Sequence, residues 1–570
     1  MQNGPVAPKD PVMKKPFFYI MQDKDILGDK QSDGTGVQFI YQNDNRLINS
    51  AGIVGNVTDE DMLNLLKTTE GFRKLVYAIG VSVTEPSGQE KVRFVYQMYG
   101  KQDTYGSGTN LVVDMTTDGM ENMIYLDDVE WSADDKEPGQ IRFEFEHSEV
   151  QATATVRFYL RDGFQAPEAI VDEEIDDRSL EYRKMIQRSL MQIGNTARLQ
   201  RVIQKAKAGE DVTVAFIGGS ITQGAGAVPI HTKCYAHRTY EEFSKCFGTG
   251  ENVHFIKAGV GGTPSQLGII RFERDILRDG VVEPDLVVVE FAVNDEGDET
   301  KGMCYESLVR KILSLPNQPA VVLLFAVFAF DWNLQERLGP VGELYKLPMV
   351  SIMDAVTPQF CLKKGQGRVI TKNQFFYDIY HPSNYGHKIM TESLMYLFRQ
   401  VAEQEKEADE TEALLKQTPV FGKVYENIKL LDKKNALHAL RIEEGSFCET
   451  DSQLQGVEMD FSPEQIPQFP FNWMRTEPKP ETNDYFEMEL SCKALMLVYK
   501  DSGAMDVGKA DVYVDEKKVV TADPHVNGWV HCNPVIILQK ETSKVHKIRI
   551  QMASGDENKK FTILGFGYVE

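Results

Sequence analysis

Between about residue 35 and residue 162, apolar positions come in short runs broken by turn-forming residues: Val37–Tyr41, Val92–Tyr99, Gln140–Glu146 and Ala152–Leu160. The last run reads Ala-Thr-Ala-Thr-Val-Arg-Phe-Tyr-Leu, with the two-residue period of a half-buried strand. This texture predicts an N-terminal β-sandwich over residues 1–180. An acidic run from Asp172 to Asp177 follows, and then a stretch from Leu180 to Ala208 in which Tyr182, Ile186, Leu190 and Ile193 recur at helix spacing. A domain boundary is expected there.

Over residues 181–405 the pattern changes to continuous apolar runs separated by amphipathic segments. The runs Val212–Ile217, Val253–Ile256, Leu286–Phe291, Val321–Phe330 and Met349–Ile352 predict strands. Tyr235–Phe247, Leu267–Leu277, Tyr305–Leu313 and Asn384–Gln404 predict helices between and after them. Strands without polar alternation are buried on both faces, so the expected architecture is a three-layer α/β/α domain around a five-stranded parallel sheet. A charged segment from Glu403 to Lys416 closes it. Strand-like runs then return (Ala494–Tyr499, Ala510–Val514, Val535–Leu538, Lys547–Met552, Phe561–Phe566), with turns at Asp501-Ser502-Gly503 and Ser554-Gly555-Asp556. They predict a second β-sandwich over residues 417–570.

The length of 570 residues suits three such domains. The balance of 62 Lys and Arg against 85 Asp and Glu gives a formal charge of -23, which repels phosphate backbones and anionic lipid surfaces. Neither nucleic acid nor membrane is therefore an expected partner, and a neutral substrate is. The apolar stretch Ala320–Phe330 is too short to span a bilayer. Residues 1–20 hold no apolar run of signal length, and the seven cysteines show neither CxxC nor CxxH spacing. A cytoplasmic location is expected, although a trimmed secreted chain would look the same. Nothing in the sequence fixes the oligomeric state.

Four segments carry candidate chemistry. Val212–Ile217 runs into Gly218-Gly219-Ser220-Ile221-Thr222, which places a serine at the carboxyl end of a parallel strand, where ligands collect. The turn lacks the Lys of a phosphate-binding loop, the spacing of a dinucleotide fingerprint and the second glycine of a G-x-S-x-G elbow. Gly259-Val-Gly261-Gly262 follows the next strand and lets backbone approach a ligand closely, or simply makes a tight turn. The third segment ends a buried strand in Asn294-Asp295, and Asn also stops strands for turn reasons alone. The acids after it lack calcium-loop spacing. In the fourth, Asp378-Ile-Tyr-His381, a spacing of three lets the carboxylate hold the imidazole Nδ1–H and leave Nε2 for a substrate-side proton. His387 is expected inside the following helix as a structural residue.

Taken in order, the four blocks resemble the SGNH/GDSL hydrolases over roughly residues 200–402. The variant Gly-Gly-Ser-Ile-Thr followed by Gly224-Ala-Gly226-Ala resembles bacterial members grouped with carbohydrate esterases, which often carry β-sandwich companions. The resemblance implies Ser220 as nucleophile, His381 as base and Asp378 as its orienter. It also implies an oxyanion hole from Ser220, Gly262 and Asn294, and no metal or organic cofactor. Two positions depart from the family: Gly219 stands for the aspartate of G-D-S, and Lys257 for the asparagine that commonly opens the second block. The implied reaction is removal of acetyl groups from plant-type oligosaccharides. Trp131, Trp473 and Trp529 are available to stack on sugar, as is Trp332 beside the expected site, although packing is the commoner use of tryptophan. The alternatives are a lipid or thioester hydrolase on the same residues and a non-catalytic carbohydrate-binding protein.

Overall fold

A computed structural model describes residues 15–363, 365–479 and 482–570. The reading of residues 1–20 as free of a secretion signal falls mostly outside this range. The chain divides into two bodies. The first comprises residues 1–181, 226–229 and 359–386, and the second residues 182–225, 230–358 and 387–570.

In the first body two antiparallel sheets share one core. One sheet orders its strands Phe17–Leu27, Gln151–Leu160, Val76–Thr84 and Asn122–Tyr125. The other orders Asp29–Lys30, Gly36–Tyr41, Asp135–Phe145, Lys91–Gly100 and Asn110–Thr116. The alternation seen in sequence sets the inward face: Ala152, Ala154, Val156, Phe158 and Leu160 all enter the core. Phe158 stacks on Tyr96 of the facing sheet with ring centroids 6.1 Å apart. Three short helices, Arg46–Ile53, Glu60–Leu65 and Thr69–Leu75, were not legible in sequence. The last is capped by the Thr68 side chain, which accepts from the Gly71 N–H, and it packs Phe72 edge-on against Phe158.

The second body is built on a six-stranded sheet in the order Leu190–Gln192, Met349–Ser351, Ala320–Phe325, Leu286–Glu290, Val212–Gly218 and Val253–Gly259. The last five are mutually parallel, and Leu190–Gln192 is an antiparallel edge. Its side chains divide by parity. Ala215 and Ile217 join the cluster under helices Ser265–Asp275 and Met303–Leu313, whereas Phe216 meets Tyr235 of helix Tyr235–Phe247 on the opposite face. Two expectations are corrected here. The stretch Leu180–Ala208 is two helices, Leu180–Arg188 and Ala197–Lys207, with the edge strand between them. Gly194 breaks it, with φ of +63° and no room for a Cβ, which would meet the Lys346 carbonyl at 2.3 Å. The strand expected to reach Phe330 stops at Phe325, because residues 326–332 fold back and the Phe328 N–H donates to the Trp332 carbonyl.

The C-terminal part of this body is one eight-stranded antiparallel sheet, accompanied by the two-stranded ribbon Gly456–Met459 and Ser462–Pro467. Two of its strands are long and irregular: Tyr485–Asp501, and His531–Met552, which unites two runs read separately. Parity again assigns the faces. Leu495, Leu497 and Tyr499 fill the sheet's own core, while Ala494, Met496 and Val498 belong to the cluster that holds Ile270, Val287 and Leu323 of the parallel-sheet region. No helix among the described residues is long and apolar enough to cross a membrane.

Candidate active site

Ser220 opens a single helical turn, Ser220–Gln223, directly after the strand Val212–Gly218. Gly224 closes it in the left-handed region, at φ +113°, and its N–H donates to the Ser220 carbonyl. Glycine is required on both sides of the turn. A Cβ on Gly218 would lie 2.1 Å from Thr222 Oγ1, and one on Gly219 would lie 2.1 Å from Asn294 Oδ1. Where the family pattern has aspartate, the Asn294 amide here fills the space above residue 219. Thr222 fixes the turn from below, with Oγ1 hydrogen-bonded to Tyr235 Oη and donating to the buried Glu290. Lys257, the second departure, supports the same turn. Lys257 is 1% exposed and donates its ammonium to the Gln223 carbonyl, the free end of the same helical turn.

The glycine loop after Val253–Gly259 lies against this turn, since a Cβ on Gly261 would stand 3.7 Å from Ser220 Cβ. Gly261 donates its N–H to Gln223 Oε1. Gly262 has φ of +70°, and a Cβ there would meet Trp529 Cζ2 at 3.0 Å and His531 Nε2 at 3.1 Å. Ser220, Gly262 and Asn294 are thus brought together within the second body. Asp295, which follows Asn294, is spent structurally: it accepts from the Ser265 N–H and Oγ at the start of helix Ser265–Asp275. Burial first, then the neighbouring Asp298, raises its carboxyl well above the usual range. Asp298 in turn accepts from Thr300 and Gly302 of its own loop.

Three residues that sequence reasoning missed hold these loops. Arg271 is fully buried and donates to the carbonyls of Gly218 and Ala258, at the ends of the two strands that deliver Ser220 and Gly262. Gln455 donates to the Gly261 carbonyl and accepts from the Cys532 N–H. His531 lies 3.0 Å from the Gly262 carbonyl through Nε2, while Asn527 Nδ2 approaches its Nδ1 at 3.2 Å, so the proton resides on Nε2 and is donated to Gly262. Asn527 is itself anchored on Asp501. No local pattern announces any of the three, because each partner is remote in sequence.

His531 is 4% exposed, and burial pushes its pKa from 6.5 to about 4, partly offset by the Gly262 carbonyl. The folded value lies below the unfolded one, so between these pH values the unfolded chain takes up a proton that the folded chain refuses. Its contribution to stability is therefore complete above pH 6.5 and is lost as pH falls towards 4. Between pH 7 and about pH 5 this costs roughly 2 kcal/mol. His531→Gln keeps a donor but not the titration. Urea midpoints of the two proteins at both pH values should show a loss about 2 kcal/mol smaller in the variant; equal losses would show that His531 does not titrate as described.

The first body carries the other pair. Asp378 Oδ1 accepts from the N–H groups of Tyr380 and His381, each at 2.8 Å, and Oδ2 lies 2.9 Å from His381 Nδ1. Burial raises the Asp378 carboxyl, but the His381 charge and these donors outweigh it and leave the group below its ordinary value. The carboxylate thus accepts the Nδ1 proton of His381. The turn is pinned by the Tyr377 N–H on the His381 carbonyl, and by Gly226, where a Cβ would meet the Pro382 carbonyl at 2.2 Å and His381 Cβ at 3.0 Å. His387 lies in the second body, fully buried, where its Nδ1 accepts from the Tyr235 N–H and its ring stacks on Tyr235. Trp332 is partly buried against the core and stacks on Phe328. The indole beside the glycine loop is instead Trp529, which is 46% exposed.

No family model and no curated protein matches the chain. Solved structures do. A two-domain esterase (CEX) active on acetylated mannans, co-crystallized with mannopentaose, is 27% identical at a TM-score of 0.56, covering 68% of this chain and 98% of that one. A second structure of such an esterase is 26% identical with a TM-score of 0.55, covering 68% and 99%. A member of the lipolytic protein G-D-S-L family from Veillonella parvula is 15% identical with a TM-score of 0.25, covering 33% and 99%.

Proposed function

We propose that this carboxylic ester hydrolase, whose structural neighbours are carbohydrate esterases and GDSL-type lipolytic proteins, removes acetyl groups from plant-type oligo- or polysaccharides through an acyl-enzyme on Ser220. The observation that carries the reading is the joint presence of two built halves. One is a serine turn with Asn294 and Gly262 against it, and the other is an imidazole whose Nδ1 is held by a half-buried carboxylate. The neighbour active on acetylated mannans, matched over nearly its whole length, supports the substrate class.

In this mechanism His381 Nε2 takes the Ser220 Oγ proton as the oxygen attacks the acetyl carbonyl carbon. Negative charge moves to the carbonyl oxygen, which is met by the N–H groups of Ser220 and Gly262 and the Asn294 amide, each donor lowering the barrier by about 3 kcal/mol. The ester bond then breaks, and the sugar hydroxyl leaves with the proton returned by His381. Water, deprotonated by the same imidazole, releases acetate and restores Ser220. Asp378 stays ionised and stabilises the imidazolium. Trp529 offers an apolar face for a pyranose ring next to Gly262.

Acyl size is the test. Apart from the Trp529 ring beside Gly262, the groups against the serine turn are glycine backbone and polar side chains (Gln223, Asn294, Gly219, Gly261), which give a long chain little to bind. An apolar groove would reward each buried methylene by about 0.8 kcal/mol. With p-nitrophenyl esters, kcat/KM should be highest for acetyl and fall for octanoyl and longer chains, and acetate should be released from acetylated mannan. Activity rising with chain length and no acetate from the polysaccharide would overturn the proposal in favour of a lipid hydrolase.

A further inference from the structure

The Asp378–His381 turn is not held by its own segment alone. Within the first body, Lys24 on the strand Phe17–Leu27 reaches the segment before Asp378 and donates its ammonium to two carbonyls, that of Asn373 at 2.6 Å and that of Phe376 at 2.5 Å. It is 7% exposed. Its neighbours hold the same segment: Asp172 accepts from Thr371 Oγ1 and from the Asn373 amide, and Asp25 accepts from Asn384 Nδ2 just beyond His381. A lysine this buried is costly to keep, and an apolar residue would pack at lower cost. Its position is explained if the charge and the two donors serve the turn.

We infer that Lys24 is a positioning residue for the Asp378–His381 pair, so that the N-terminal β region supplies part of the catalytic apparatus and is not a detachable sugar-binding accessory. The inference rests on the function proposed above. The ammonium has two effects. It fixes the carbonyls of residues 373 and 376, and with them the path of the chain into Tyr377 and Asp378. It also places a positive charge within coulombic reach of Asp378, alongside Asp172, Asp25 and Asp23. That charge stabilises the Asp378 carboxylate. Burial brings the Lys24 pKa down to about 8, against the pull of those four carboxylates, so the ammonium is still the prevailing form at neutral pH.

The test uses the full chain and two variants, Lys24→Met, which keeps the stem and removes charge and donors, and Lys24→Gln, which keeps a donor and removes the charge. With p-nitrophenyl acetate, Lys24→Met should lose about 10- to 100-fold in kcat with KM little changed, as a displaced base does. In both variants the acid limb of kcat/KM should move to higher pH, because the Asp378 carboxylate takes up a proton more readily without the nearby cation. A role confined to packing would not move that limb. Should Lys24→Met fail to fold, Lys24→Gln decides alone: a lowered kcat with a shifted acid limb supports the inference. A folded variant with wild-type kcat and an unmoved profile overturns it. Ser220→Ala, assayed alongside, separates the two failures. Turnover surviving in Ser220→Ala sinks the serine mechanism itself, whereas a dead Ser220→Ala beside a fully active Lys24→Met sinks only the role of Lys24.

Discussion

Ser220→Ala yields a folded protein whose ester turnover falls by about four orders of magnitude or more. The substitution removes one hydroxyl from a partly exposed position, and the turn around it is held by contacts that do not involve that group. These are the Gly224 N–H on the Ser220 carbonyl, Thr222 on Tyr235 and Glu290, and Lys257 on the Gln223 carbonyl. The melting temperature should therefore stay close to that of the wild type. What disappears is the atom proposed to form the acyl-enzyme, and Thr222 does not replace it, because it is fully buried and already bonded. Active-site titration with a slow acetyl ester should show a burst for the wild type and none for the variant. A purified, folded variant that kept more than about 1% of the turnover would remove Ser220 from the mechanism.

Arg271→Met should be the most damaging change to stability. The guanidinium is fully buried and has three kinds of partner: the Gly218 carbonyl, the Ala258 carbonyl, each at 2.9 Å, and Asp275 at 3.0 Å. Methionine fills the volume but removes a donor from both carbonyls, of which Gly218 keeps only the Val260 N–H at 3.2 Å, and takes one of two cations from a buried carboxylate. Asp275 keeps Arg274, at 2.6 Å, which limits the damage. Loss of one member of such a network costs about 3–5 kcal/mol. Urea unfolding followed by near-ultraviolet circular dichroism should read it as a lowered midpoint. Activity should fall as well, because the two carbonyls that lose the guanidinium end the strands that deliver Ser220 and Gly262. A loss under about 1 kcal/mol would mean that water or a repacked neighbour takes the place of the guanidinium.

Features encoded over a few residues were legible in the sequence. The serine turn, the Asp378–His381 pair and the glycine loop are local, and each stands where a strand or helix boundary put it. The helix Tyr235–Phe247 and the strand Ala510–Val514 were read to the residue, because their periodicity is uninterrupted. Errors arose where periodicity was borrowed. Leu190 and Ile193 continue the spacing of the preceding helix, yet Gly194 forces a turn and the chain between joins the sheet edge. Residues 326–330 are as apolar as the strand before them, but they form a loop in which Ala326, Val327 and Ala329 are buried while Phe330 is exposed. The supports of the site were illegible for a different reason: Arg271, Gln455, His531 and Lys24 act on backbone carbonyls, and a carbonyl leaves no mark on residue identity.

The parity of Ala494 to Val498 has a consequence for how such a chain can change over time. Neighbouring residues of this one strand answer to different cores: Leu495 and Leu497 to the C-terminal sheet, Met496 and Val498 to the cluster shared with the parallel sheet. A one-residue insertion here would exchange the two sets, sending side chains fitted to one interior into the other. The same holds at Gly567, where even a methyl group would meet Ile270 at 2.7 Å. Exchange of C-terminal sheets among related chains should therefore succeed only when the facing helix Ser265–Asp275 travels with the graft, so that recombination breakpoints are expected upstream of residue 265 and not at the apparent linker near residue 416.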